Sequence, residues 1–101
     1  MKDYDDYTPI NGDYSFGTKD GVHYLVELKT GEKVALEGVD KAFPLSVKNE
    51  DTNSTELALV VRKDQAWYMI DTKGETIYTF EQAELTENSK LTLKDNKLQV
   101  E

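Results

Sequence analysis

The chain contains no cysteine, one arginine (Arg62), one histidine (His23), one tryptophan (Trp67) and two prolines among 101 residues. Each scarcity removes a class of chemistry. Without cysteine there is no disulfide, no thiolate metal site and no cysteine nucleophile. A single histidine cannot supply two imidazoles to a metal, and zinc held by one imidazole plus carboxylates is an uncommon donor set. A serine triad would need His23 beside an activated serine, yet Ser15, Ser46, Ser54 and Ser89 lie in no Gly-x-Ser-x-Gly elbow. The glycines are isolated and read as turn residues, so no phosphate-cradling loop is present. No apolar run approaches the roughly 18 residues of a membrane span. The acidic start, Met1 to Asp6, lacks an apolar h-region and does not read as a signal peptide, which favours the cytoplasm.

Twenty acids against twelve bases give a net charge of −8. Direct nucleic-acid binding is disfavoured, because phosphate contacts require clustered Lys and Arg. An acidic surface instead speeds association with basic proteins. The low apolar content, 38%, is offset by ten aromatics, six of them Tyr, which argues for a folded chain. A chain this short forms one thin core with little room for a deep catalytic cavity. Paired carboxylates for sugar hydrolysis would need such a cleft. No cofactor or metal is expected, and an enzyme is not.

The apolar pattern alternates with period two, and no sustained helical period appears. Three Lys-Asp dipeptides, Lys19-Asp20, Lys63-Asp64 and Lys94-Asp95, each separate two alternating runs and read as hairpin tips. A two-residue Asp64-Gln65 turn pairs Val61 with Tyr68, Leu59 with Ile70 and Arg62 with Trp67. An Asp95-Asn96 turn pairs Leu93 with Leu98 and Leu91 with Val100. At the first tip the wish to put Phe16 and Tyr24 on one face favours a three-residue loop, Lys19-Asp20-Gly21, over a two-residue Asp20-Gly21 turn. Lys29-Thr30-Gly31-Glu32 and Asp71-Thr72-Lys73-Gly74-Glu75 read as further turns, the second of type I with a left-handed glycine. Glu37 to Thr55 is the least regular stretch. It holds Pro44, a short edge strand around Leu45 and Val47, and a polar loop with a formal glycosylation triplet, Asn53-Ser54-Thr55. Glu81 to Asn88 has room for one helical turn. The expected fold is all-β: an antiparallel meander of repeated hairpins with about eight short strands, closing as an open sheet, sandwich or small barrel. Residues 1–12 form an acidic arm, where Asp3, Asp5 and Asp6 make a solvated charge run. Residues 13–101 form one domain, with hairpin repeats near 13–36, 56–80 and 89–101.

The segment Lys19-Asp20-Gly21-Val22-His23-Tyr24-Leu25-Val26 aligns with Lys63-Asp64-Gln65-Ala66-Trp67-Tyr68-Met69-Ile70, and both run on into a Gly-Glu turn. Self-similarity of this kind marks a structural unit used more than once. In these residues the chain resembles the bacterial WG-repeat proteins, best over Leu57 to Ile77 and next over Lys19 to Val34. The family's Trp-Gly dipeptide corresponds to Trp67-Tyr68 in one copy and His23-Tyr24 in the other. The resemblance implies repeat scaffolding for interactions and carries no catalytic residue.

The sequence therefore points to a non-catalytic interaction or scaffold module that binds a protein partner, a basic one suiting its charge, through an aromatic-bearing β face and an acidic surface. Trp67, Arg62 and Tyr68 are the candidate partner-binding residues, since aromatics and Arg dominate interface hot spots. Alanine at Trp67 and Arg62 together is expected to abolish capture with little loss of melting temperature. Arg62 opposite Trp67 also offers a cation–π contact. His23 is expected on the strand face opposite Val22, Tyr24 and Val26, without a catalytic task. The alternative is a small acidic inhibitor that mimics nucleic acid, with Glu37, Asp40, Glu50, Asp51, Glu81 and Glu84 at phosphate-like spacing. Sheet edges near Leu36 and Val100 permit a homo-oligomer, although Lys90, Lys94 and Lys97 guard the last hairpin.

Overall fold

A computed structural model describes residues 4–81 and 84–100. These residues form ten strands and no helix: β1 (Asp6–Pro9), β2 (Tyr14–Lys19), β3 (Val22–Glu27), β4 (Lys33–Leu36), β5 (Val39–Asn49), β6 (Ser54–Lys63), β7 (Ala66–Ile70), β8 (Thr76–Phe80), β9 (Leu91–Lys94) and β10 (Lys97–Val100). The all-β fold and its hairpins follow the sequence pattern. β1–β2–β3–β4 make one sheet, and β10–β9–β5–β6–β7–β8 make the other. Every pairing is antiparallel except β5 with β9, which is parallel over Val47–Asn49, so the chain is not a pure meander.

All three Lys-Asp sites are two-residue hairpin tips. Both central residues have positive φ in each case: Asp20 and Gly21, Asp64 and Gln65, Asp95 and Asn96. That is the type I′ geometry, whose twist matches the flanking strands. The second and third hairpins have the expected registers, Val61 opposite Tyr68 and Leu93 opposite Leu98. The first does not. Phe16 pairs with Leu25, not Tyr24, and Tyr14 with Glu27, not Val26. The two-residue turn prevails because Leu25, 2% exposed, is the core residue, while Tyr24 lies on the outer face. There Tyr4 packs edge-on to Tyr24 at 5.9 Å, and Lys33 Nζ sits 5.0 Å from the Tyr24 ring centre.

Four further expectations are corrected. The acidic lead-in is not a loose arm along its whole length, because Asp6–Pro9 pairs with β2. Asp3 lies outside the described residues. The stretch judged least regular contains β5, the longest strand at 11 residues, paired with β6 through to Asn49. Pro44 is tolerated there because β9 joins β5 only from Val47 onward, so among the described residues no strand pairs with that side of β5 at the proline. Gly17, read as a turn residue, lies within β2 under Tyr4. A Cβ at Gly17 would come within 2.7 Å of Tyr4 Cδ1, so the glycine lets the ring lie on the sheet. After β8 the chain forms no helical turn among the described residues. Thr86 to Ser89 is a turn closed by the Ser89 N–H to the Thr86 carbonyl (3.0 Å). Gln82 and Ala83, in the same stretch, lie outside the described residues.

The two sheets share one core. Phe16, Leu25 and Leu36 of the first meet Val39, Leu59, Val61 and Ile70 of the second. Gly74, at φ 85°, is doubly constrained. It is left-handed, and a Cβ would come within 2.9 Å of Val34 Cγ1, because the β7–β8 turn packs on β4. A second core occupies the opposite face of the large sheet: Phe43, Leu45, Val47, Ala58, Val60, Trp67, Phe80, Leu85 and Leu91. The internal repeat thus has a structural meaning. One copy forms the β2–β3 tip, β3 and the start of β4, and the other forms the β6–β7 tip, β7 and the start of β8, one copy per sheet. The units do not use the same face towards each other. Leu25 turns inward to the shared core, but its counterpart Met69 turns to the second core, and Tyr68 takes the inward place that Tyr24 lacks.

Candidate functional site

The three residues singled out from sequence do not form a surface. Trp67 is 3% exposed and packs against Phe43 with ring centres 5.4 Å apart. Its burial follows from its place on β7, between β6 and β8, on the face that builds the second core. Arg62 stands opposite Trp67 as the register predicted, but its recorded ionic partner is Asp40, 3.5 Å away. Tyr68 points to the other face of β7 and packs half-buried against the shared core. Trp67 is thereby corrected from a partner-binding side chain to a core one. His23 lies on the face of Leu25, away from Tyr24 and Val26 as expected, with Nδ1 3.4 Å from Thr18 Oγ1. Among the described residues no group of three His, Asp or Glu side chains is placed to hold a metal.

The exposed apolar surface lies elsewhere. In a flat sheet of this strand order β8 and β9 would be four spacings apart, about 19 Å. Instead Tyr78 of β8 and Leu93 and Leu98 of β9–β10 line one groove of about 350 Å³. The large sheet therefore curls until its two ends face each other. Val47, Ala58 and Met69 form the floor, and Leu57 and Ile77 stand at the wall. The few polar groups include Glu56 and Asn96. Of six large apolar side chains exposed among the described residues, three belong to this groove: Leu57 (48%), Ile77 (59%) and Tyr78 (40%).

Local backbone geometry puts two of them there. Met69 pairs with Tyr78 and Ile70 with Thr76, so Ile77 is an extra residue, a β-bulge. A bulge re-aims side chains. Here it brings the neighbours Ile77 and Tyr78 to the same groove, where simple alternation would send them to opposite faces. Tyr78 is also held edge-on to Phe80, with ring centres 5.0 Å apart. Two wider clefts, about 520 Å³ each, are lined by more charged side chains, including Glu37, Lys63 and Asp64 in one and Glu27, Glu32, Lys33 and Lys73 in the other.

The far wall of the groove is pinned by one carboxylate. Asp51, in the β5–β6 turn, accepts the Asp95 N–H at 2.9 Å and the Asn96 N–H at 3.2 Å through its two oxygens. The Glu50 N–H donates to the Leu93 carbonyl at 2.8 Å. Asp51→Ala is expected to free the β9–β10 tip, at a cost of roughly 1 kcal/mol. Amide exchange at Asp95 and Asn96 should quicken about fivefold or more, with Asp51→Asn falling between the variant and the parent.

No protein-family model, curated protein or solved structure matches the chain.

Proposed function

We propose that the protein is a non-catalytic interaction module that captures an apolar, basic-flanked polypeptide segment in the groove between β8 and β10. The observation that carries this reading is the gathering of Leu57, Ile77 and Tyr78, all solvent-exposed, around a floor of Val47, Ala58 and Met69. Contiguous exposed apolar surface rimmed by polar groups is characteristic of interaction sites. The net charge of −8 supports a basic partner through faster, salt-sensitive encounter. The resemblance to WG-repeat units supports a scaffold role in the same sense.

The test is a panning of displayed random peptides against the protein, counter-screened with the Ile77→Ser/Tyr78→Ser double variant. Both side chains are substantially exposed, so the variant keeps the fold. Recovered peptides should combine apolar residues with Lys or Arg, lose about tenfold or more in affinity for the double variant, and bind a Leu28→Ser control as they bind the parent. Peptides that bind the double variant as tightly as the parent would place the site elsewhere, and an unenriched library would sink the function.

A further inference from the structure

The two sheets have four edge strands, β1 and β4 in one and β10 and β8 in the other. Three carry the devices that keep an edge from pairing. β1 has Asp6 and Pro9, β4 has Lys33, and β10 has Lys97. β8, Thr76-Ile77-Tyr78-Thr79-Phe80, has neither charge nor proline. Each of its residues is β-branched or aromatic, the types that favour pleated pairing. The first four are exposed, and β7 is its paired neighbour among the described residues. The bulge at Ile77 swings that side chain towards the groove and leaves Tyr78–Phe80 in regular register with Met69–Trp67.

Charge decides what fits this edge. Glu75 and Glu81 bracket β8 directly. If a second copy paired antiparallel about Tyr78, its Glu81 would face Glu75 at one end and its Glu75 would face Glu81 at the other. Like charges directly opposite destabilise a pair of strands, and each copy brings −8 to the encounter. A segment with a basic residue at each end of a short β-branched stretch meets both glutamates in either strand direction. Its alternate side chains would descend beside Tyr78 into the groove.

We infer that the protein binds its partner by strand addition: an extended segment of another protein, β-branched in the middle and basic at both ends, pairs main chain to main chain with β8 and extends the large sheet. This rests on the reading of the groove as a binding site and specifies how that site is used. Main-chain hydrogen bonds supply affinity in this mode, and the adjoining pocket supplies side-chain preference.

The probe is a fluorescein-labelled heptapeptide of alternating threonine and valine between terminal lysines, titrated by anisotropy against the full chain. A control peptide carries N-methyl groups on alternate amides that would face β8. Binding by the plain peptide, an affinity loss of about tenfold or more on N-methylation, slowed amide exchange within Thr76–Phe80, and loss of binding in Thr79→Lys constitute the expected result. Equal binding of plain and N-methylated peptides overturns strand addition while leaving the groove reading intact, because side chains alone would then hold the ligand. No binding of the plain peptide, alongside groove-dependent peptides from the panning, overturns it too. A dimer of the protein alone with β8 amides protected replaces the partner segment by a second copy and likewise refutes the inference.

Discussion

Trp67→Ala is expected to destabilise the domain by about 3–5 kcal/mol, the cost of deleting a large aromatic from a packed core. The side chain is 3% exposed and belongs to one buried cluster with Phe43, Phe80, Leu85 and Val60. Its contact with Phe43, ring centres 5.4 Å apart and planes inclined by 51°, adds an aromatic term of about 0.5–1.5 kcal/mol to simple area burial. A domain of this size has only about 5–15 kcal/mol in total, and each kcal/mol moves the melting temperature by about 4–8 °C. Melting should therefore fall by roughly 12 °C or more. Urea titration followed by far-ultraviolet circular dichroism gives the free energy directly. Arg62→Ala is the contrast. Its side chain is 29% exposed and its ion contact with Asp40 spans 3.5 Å, so the loss should stay below about 1 kcal/mol. Capture of a partner by a protein with alanine at both Trp67 and Arg62 would then fail through loss of the packed fold, not through removal of a surface. A Trp67→Ala protein that melts within a few degrees of the parent would contradict the buried position.

The parts of the fold that the sequence reveals are the local ones. A type I′ tip is a two-residue event, and Asp64-Gln65 and Asp95-Asn96 announce it together with the register of their flanking strands. The first tip carries the same signal in Asp20-Gly21. It is misread because Tyr24 looks like a core residue by analogy with Tyr68. Which face of β3 becomes the inside depends on a sheet far away in sequence, and the two repeat units turn opposite faces to their common core. The same limit explains β5. Pro44 and the polar loop that follows read as irregular, since nothing local shows that β9 will pair with β5 only from Val47 onward. The curl of the large sheet is wholly non-local. It is made by the parallel docking of β9 on β5, which no local residue pattern announces. Trp67 attracts attention as the one tryptophan, but a rare large aromatic in a strand with two neighbours is more useful to the core than to the surface. A legible clue to the groove did exist. Thr76 to Phe80 is a β-prone run without charge, and the extra residue at Ile77 breaks its alternation.

Leu25→Ala should rank beside Trp67→Ala, with a loss of about 2–5 kcal/mol. Leu25 is 2% exposed and is among the largest fully buried side chains of the chain. It sits on β3 between β2 and β4, opposite Phe16 and Val34, and meets the large sheet through the shared core. Truncation leaves a void that stiff β-branched neighbours cannot readily refill, since Val61 and Val34 have restricted χ1 rotamers. The variant also arbitrates the register of the first hairpin. With the observed two-residue turn, Leu25 is inside and Tyr24 is outside, half-buried beneath Tyr4 and Lys33. A three-residue loop would exchange those roles, because a slip of one residue sends every side chain to the other face. Equilibrium unfolding of Leu25→Ala and Tyr24→Ala side by side should show the leucine change to be the costlier. Because Leu25 joins the small sheet to the large one, its loss should lower the protection of β3 and of β6 amides together in hydrogen exchange. If β6 kept its full protection while β3 opened, the two sheets would be separate cooperative units and the shared core would contribute little to the fold.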